Sequence, residues 1–440
     1  MPTDPGVLSL IEQTPFVDTH EHLWEEWGRI KARELGEQSP LPAPDFGALF
    51  VEYAESDLLN AGMTREQIGR LHSHDMSVQD KWMLLVPHLQ AARHTGYLQG
   101  VRETVRQLFG VEDLRGDNVQ QVSDGVRDLV KPGYYAHVLK KIANVEHVQV
   151  NGLDHPVFVE TEQPALLCQD LSTVKLATEL DVPALEKVTG LTVRNLTDWH
   201  GVIDWCFAKF GPRAIAVKNQ SAYTRRLNYA QVGADEVTAA FKRYLAKPTD
   251  VRPDELKAIE DHLFHLTVTR ATEHRLPVKL HTGQYMGNDW MPLRRVRDNI
   301  SDLCPVVQAH PEAEFVIMHM GYPYQDELIS FAKHHTNVWV DLCWAWIINP
   351  AAAVRFVKEF LMAVPSNRLL TFGGDHFHVE LVTGHARLAR RGLALALSEL
   401  VGDRWIARQD VEPLVERLMR GNANALFDYE GTLANWGPQA

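Results

Sequence analysis

Cysteine is scarce in this chain. The four in 440 residues (Cys168, Cys206, Cys304, Cys343) stand far apart and form no Cys-x-x-Cys. That spacing excludes a disulfide framework and a thiolate zinc knuckle, and the four read as reduced thiols of a cytosolic protein. Long apolar runs are lacking too, since none approaches the roughly 20 residues that a membrane helix needs. The opening stretch "MPTDPGVLSLIEQTP" has no basic region followed by an apolar run. A cytoplasmic protein with no membrane partner is the expectation. Positive charge is in deficit, with 44 Lys and Arg against 57 Asp and Glu and a net charge of −13. That balance argues against nucleic acid as a partner but leaves room for a local basic pocket. No Gly-x-Gly-x-x-Gly follows the first apolar run, so a dinucleotide site finds no support.

What is present is an ordinary globular composition, 45% apolar and 23% charged. Eight short, near-continuous apolar runs stop abruptly at polar residues: 16–20, 145–150, 164–170, 214–220, 277–283, 314–321, 337–343 and 369–375. Continuous rather than alternating apolar character fits strands buried on both faces. Helical stretches such as "DEVTAAFKRYLAK", "QDELISFAKHH" and "PAAAVRFVKEFLMAV" lie between many of them. Eight strand–helix units predict a (β/α)8 TIM barrel over residues 1–440, with a doubly wound sheet as the fallback. One interval breaks the rhythm. Residues 24–143, after the first strand, read as a large helical insertion, either a cap over the barrel mouth or an oligomer contact.

The chain carries 21 histidines, enough for about one His-x-His by chance, and it has three: His20/His22, His72/His74 and His376/His378. Position separates them. In a barrel the C-terminal ends of the strands converge on one point. The first strand ends in His20 and His22, the fourth near Lys218, the fifth in His281, the sixth in His319 and the eighth in Asp375. Residues i and i+2 of a strand face the same way, so His20 and His22 can share one ion. His281 and Asp375 complete four protein ligands, or three plus a bridging or acid–base group. Imidazole and carboxylate suit a divalent metal, zinc first, with manganese or iron as alternatives. His72/His74 falls in the helical insertion, where i and i+2 diverge, and reads as a surface pair.

With "VDTHEHL", "KLHTG", "MHMGYPY…VWVDL" and "FGGDHFHVE" in this order, the sequence resembles the amidohydrolase superfamily. It resembles the branch of the amidohydrolase 2 and fluG/nodulin-like proteins and, more distantly, uronate isomerase. The resemblance implies that His20, His22, His281 and Asp375 hold metal, with Asp375 also moving a proton. It implies that His319 is a base or an orienter of the scissile group; the alternative is a buried histidine bonded to a backbone carbonyl. Lys218 is either a carboxylated bridge between two ions or a cationic substrate contact.

Segments after the fourth to sixth strands supply further candidates. Lys218, Arg225, Gln284, Tyr322 and His376 read as substrate-binding, and arginine pairs with carboxylates in bidentate fashion. Arg294 and Arg295 lie either at the mouth or on a solvated helix. Trp344 and Trp346 are either pocket walls or packing beneath the insertion. The expectation is a metal-dependent hydrolase of a small carboxylate-bearing or polyhydroxylated substrate, working as a homo-oligomer. The alternatives are a nonhydrolytic enzyme (decarboxylase or uronate-isomerase-like) and a non-enzymatic barrel.

Overall fold

The computed structural model describes residues 3–437. Eight parallel strands form a closed barrel: β1 (Phe16–Glu21), β2 (Val145–Val150), β3 (Leu167–Gln169, resuming at Leu171–Ser172), β4 (Val217–Asn219), β5 (Val278–Leu280), β6 (Phe315–Ile317), β7 (Val338–Asp341) and β8 (Leu369–Leu370). Each overlaps one of the eight apolar runs. Backbone bonds close the ring between the last strand segment and the first, from Thr19 N to Phe372 O (3.0 Å), Asp375 N to His20 O (2.9 Å) and His22 N to His376 O (2.9 Å). The closing seam therefore runs directly through the two segments that carry His20, His22 and Asp375.

The strands are short and almost wholly buried. Phe16, Val148, Leu167, Phe315, Ile317, Val338, Val340 and Leu369 are fully buried between the barrel interior and the outer helices. Near the strand ends the interior also holds a buried ion pair. Lys279 Nζ bonds both Asp170 oxygens (2.9 Å each) and Thr19 O (2.8 Å), with neither side chain exposed. A buried lysine needs such a carboxylate and carbonyl to offset its lost hydration.

The insertion is helical, with helices at Glu26–Leu35, Tyr53–Asn60, Arg65–His72, Val78–Ala92, Gly96–Phe109 and Val119–Leu129. It has its own core of Phe46, Leu49, Phe50, Leu58, Leu71, Leu85, Val119 and Val122. It meets the barrel where helix Gly96–Phe109 crosses helix Val379–Gly402. There the backbones nearly touch: a Cβ added at Gly384 would lie 2.0 Å from Gly100 O. His72 and His74 are half-buried rather than a surface pair, because His72 ends its helix beside Glu55 and His74 bonds Leu41 O (3.0 Å). The chain end is docked through residue 437, with Trp436 Nε1 donating to Arg213 O. All four cysteines are free thiols. Among the described residues no helix is long and apolar enough to cross a membrane.

Candidate metal centre

Strand geometry places the first two ligand candidates together. His20 sits inside β1 and His22 just past its end, both turned to the eighth-strand loop. His20 Nε2 lies 3.0 Å and His22 Nε2 3.3 Å from the same oxygen, Asp375 Oδ1. One atom from each residue falls within 4.8 Å of the others, the one such group of three among the described residues.

The proton positions on these rings follow from their outer partners. Asn151, just past β2, offers its carbonyl to His22 Nδ1 at 2.7 Å, so Nδ1 carries the hydrogen. His22 Nε2 then presents a lone pair to a carboxylate oxygen. His20 does likewise: Lys218 Nζ stands 3.3 Å from its Nε2, and its Nδ1 is buried without a partner. Burial first, and the Lys218 charge second, push the His20 pKa well below its ordinary value, so the ring is neutral. Three lone-pair donors therefore face one another, and a shared cation is what reconciles them.

Surrounding contacts hold Asp375 in a strained backbone conformation. Its φ is +63°, in the left-handed region that side chains rarely adopt, and His319, Met320 and Trp344 at neighbouring strand ends share the feature. Such conformations cost about 1–3 kcal/mol each and persist where surrounding contacts enforce them. Here Asp375 N is tied to His20 O, Asp375 O accepts from Tyr53 Oη, and His376 N donates to Glu21 Oε2 (2.6 Å). Glu21 thus points away from the ligand cluster and grips the loop from behind.

The opposite rim is arranged differently. His281 Nδ1 and His319 Nε2 share a bond of 2.9 Å, His281 Nε2 reaches Gln284 O (2.9 Å), and His319 Nδ1 reaches Cys343 O (3.1 Å) and Cys343 Sγ (3.2 Å). His281 is thus held by protein partners and lies outside the group formed by His20, His22 and Asp375. His319 is bonded to a carbonyl, and its ring lies 6.4 Å from that of His20. Burial lowers His319 to about 4. Lys218 is fully enclosed, with Met318 Sδ 2.9 Å from its Nζ, and burial lowers it to about 8.

Among the substrate-binding candidates the structure redistributes roles. Arg225 is turned away from the site: Glu260 (2.7 Å) and Asp261 hold its guanidinium, which lies over the Tyr229 ring. Its charge is consumed by helix Pro253–Glu273, which supplies both acids. Arg226 is likewise paired with Asp302 (2.7 Å). Arg294 is exposed, and Arg295 braces two loops through Tyr223 O (2.7 Å) and Tyr285 Oη (3.2 Å). Gln284 acts through its carbonyl on His281, and Tyr322 Oη accepts from Asn349 (3.2 Å). His376 turns its Nδ1 to Glu52 (2.8 Å). Trp344 is buried against Tyr53 (4.5 Å between rings), and Trp346 donates to Thr371 O, so both are packing residues. Sequence reasoning missed Glu52, Tyr53 and Asn151. Nothing in "VEYAE" or "VNGLD" announces them, because their roles depend on tertiary placement.

The carboxy-terminal part of the chain, residues 214–429, matches the family model described as Amidohydrolase. Over that part the chain is similar to the amidohydrolase family. Over 163 residues it is 30% identical to Protein fluG of Emericella nidulans, a stretch covering 37% of the chain and only 18% of that protein. Two solved structures share its fold over nearly the full length. They are uronate isomerase from Thermotoga maritima (TM-score 0.76, 13% identity, 96% of both chains) and glucuronate isomerase from Caulobacter crescentus (TM-score 0.76, 14% identity, 98% of this chain and 95% of that one). A Lactobacillus casei structure solved under the name of a metal-dependent hydrolase follows (TM-score 0.65, 14% identity, 97% and 98%). At such identities the likeness is one of fold.

Proposed function

We propose that the protein is a metal-dependent hydrolase whose ion, zinc first, is held by His20, His22 and Asp375. The observation that carries this reading is the tautomer of His22: with its Nδ1 hydrogen given to Asn151, its Nε2 lone pair faces Asp375 Oδ1 at 3.3 Å. A bound dication there would polarise a substrate oxygen and make water a stronger nucleophile near neutral pH. Asp375 is the group beside the reacting atoms best suited to take and return a proton, since its second oxygen faces His319 (3.9 Å). His281 and His319 would orient the scissile group from the opposite rim. Lys218 would serve as a cationic contact or, if carboxylated, as a further ligand.

The substrate side favours a small polyhydroxylated molecule. Arginines that would anchor a carboxylate are engaged elsewhere, whereas Tyr53, Tyr97 and Tyr223 lie near enough to Asp375 to feel its charge. A second reading, isomerisation of a uronate, draws on the shared fold, which extends through the helical insertion to 96% of the chain. One experiment separates them. The metal-loaded protein is offered lactones, amides and free uronates in H₂¹⁸O. Label in a carboxylate product supports hydrolysis. An aldose–ketose conversion without such label overturns it in favour of the second reading, and CO₂ release overturns both in favour of decarboxylation.

A further inference from the structure

We infer, resting on the metal reading above, that Glu52 is a positioning residue through which the helical insertion sets the geometry of Asp375. Glu52 belongs to the insertion, at the entrance of helix Tyr53–Asn60, yet its carboxylate lies buried against the loop after β8. It accepts four bonds there: from His376 Nδ1 (2.8 Å) on Oε2, and from Phe377 N (3.0 Å), His378 N (3.0 Å) and His378 Nδ1 (2.7 Å) on Oε1. Three of these donors converge on Oε1 and one reaches Oε2, so most of the acceptor capacity of the carboxylate is taken up by the loop.

The next residue adds a second hold, since Tyr53 Oη donates to Asp375 O. From the barrel side Glu21 takes His376 N and His20 O takes Asp375 N. Segment 375–378 is thus clamped between barrel and insertion. Both Glu52 (φ +59°) and Asp375 (φ +63°) sit in backbone regions unfavourable to side chains. Neither conformation would persist without the contacts that join them. Docking of this part of the insertion and ion binding by Asp375 are consequently linked, and linkage is reciprocal: what tightens one tightens the other.

The test uses the full chain, freed of metal and titrated with Co²⁺, read by visible absorption and by hydrogen exchange of peptides across residues 46–60. Glu52→Gln, nearly isosteric, is expected to weaken Co²⁺ binding about 10–100-fold, as loss of an outer partner of a ligand does. It is also expected to shift the absorption band and to abolish the Co²⁺-induced protection of residues 46–60. Binding within twofold of wild type, with an unchanged band and unchanged protection, overturns the inference. Should Glu52→Gln fail to fold, Tyr53→Phe decides: weakening of threefold or more supports the link, and less than twofold overturns it. His20→Ala is the control on the reading beneath. If it binds Co²⁺ as wild type does, the metal reading fails and the inference with it. If it loses Co²⁺ while Glu52→Gln does not, the inference alone fails.

Discussion

His20/His22 and His376/His378 have the same spacing and lie on two segments that hydrogen-bond to each other at one rim of the barrel, yet they differ in what their nitrogens face. His20 and His22 turn Nε2 lone pairs toward Asp375, with Lys218 Nζ 3.3 Å from the His20 nitrogen. His376 and His378 give their Nδ1 hydrogens to Glu52. The first pair is free to hold an ion, and the second is spent on holding the loop. Spacing brings two imidazoles within reach of one point. What decides their use is whether a protein acceptor already occupies that point.

The largest expected effect separates the pairs outright. His20→Ala with His22→Ala removes two ligands and lowers metal affinity by more than the ~10–100-fold typical of an outer partner. Elemental analysis of the purified double variant should find little bound metal. Next, His378→Ala removes one of the three donors to Oε1 of the buried Glu52 carboxylate. A loss of about 1–3 kcal/mol in stability is expected, with stoichiometric metal still bound at saturation. Urea unfolding and metal analysis of the same sample check both halves, and loss of metal without loss of stability would erase the contrast.

A smaller effect lies three residues beyond His22. Burial pushes the Glu25 carboxyl up to about 7, although Thr161 Oγ1 (3.1 Å) donates to it. The folded chain therefore keeps a proton that the unfolded chain, with an ordinary value of 4.5, releases. Its contribution to stability is complete below pH 4.5 and declines as pH rises toward 7. Glu25→Gln should flatten the stability profile over that window, measured by denaturant midpoint, and an unchanged slope would refute the assignment. The smallest effect belongs to the third pair. His72→Ala with His74→Ala is expected to leave metal content unaltered and to cost about 1 kcal/mol, mostly through the bond to Leu41 O.

Much of the barrel was legible because its physics is local. Buried parallel strands need continuous apolar runs, and each of the eight runs overlaps a strand. Site residues on strand ends inherit that legibility, as His20, His22, Lys218, His281, His319 and Asp375 do. Arg225 was misjudged because a loop position near the mouth does not reveal the two acids of a following helix that capture it. Glu52 and Tyr53 were invisible for a related reason. They enter from a separately packed insertion, and only the fold brings them to residues more than 300 positions away. Helical periodicity exposes which face of such a segment is apolar, but not which of its polar residues will dip into a neighbour.

The crossing at Gly100 and Gly384 bears on how molecules come and go. Main chain rests on main chain there, and Gly384 N also donates to Thr104 Oγ1 (3.2 Å). A second close approach, where a Cβ on Gly96 would lie 2.1 Å from Ile347 O, fixes the same helix to the loop after β7. A body seated on such close contacts is a roof, not a hinged door. Residues 283–292, after β5, are built differently: Gly283, Gly287 and Asp289 take left-handed turns, and Trp290 stands half out in water.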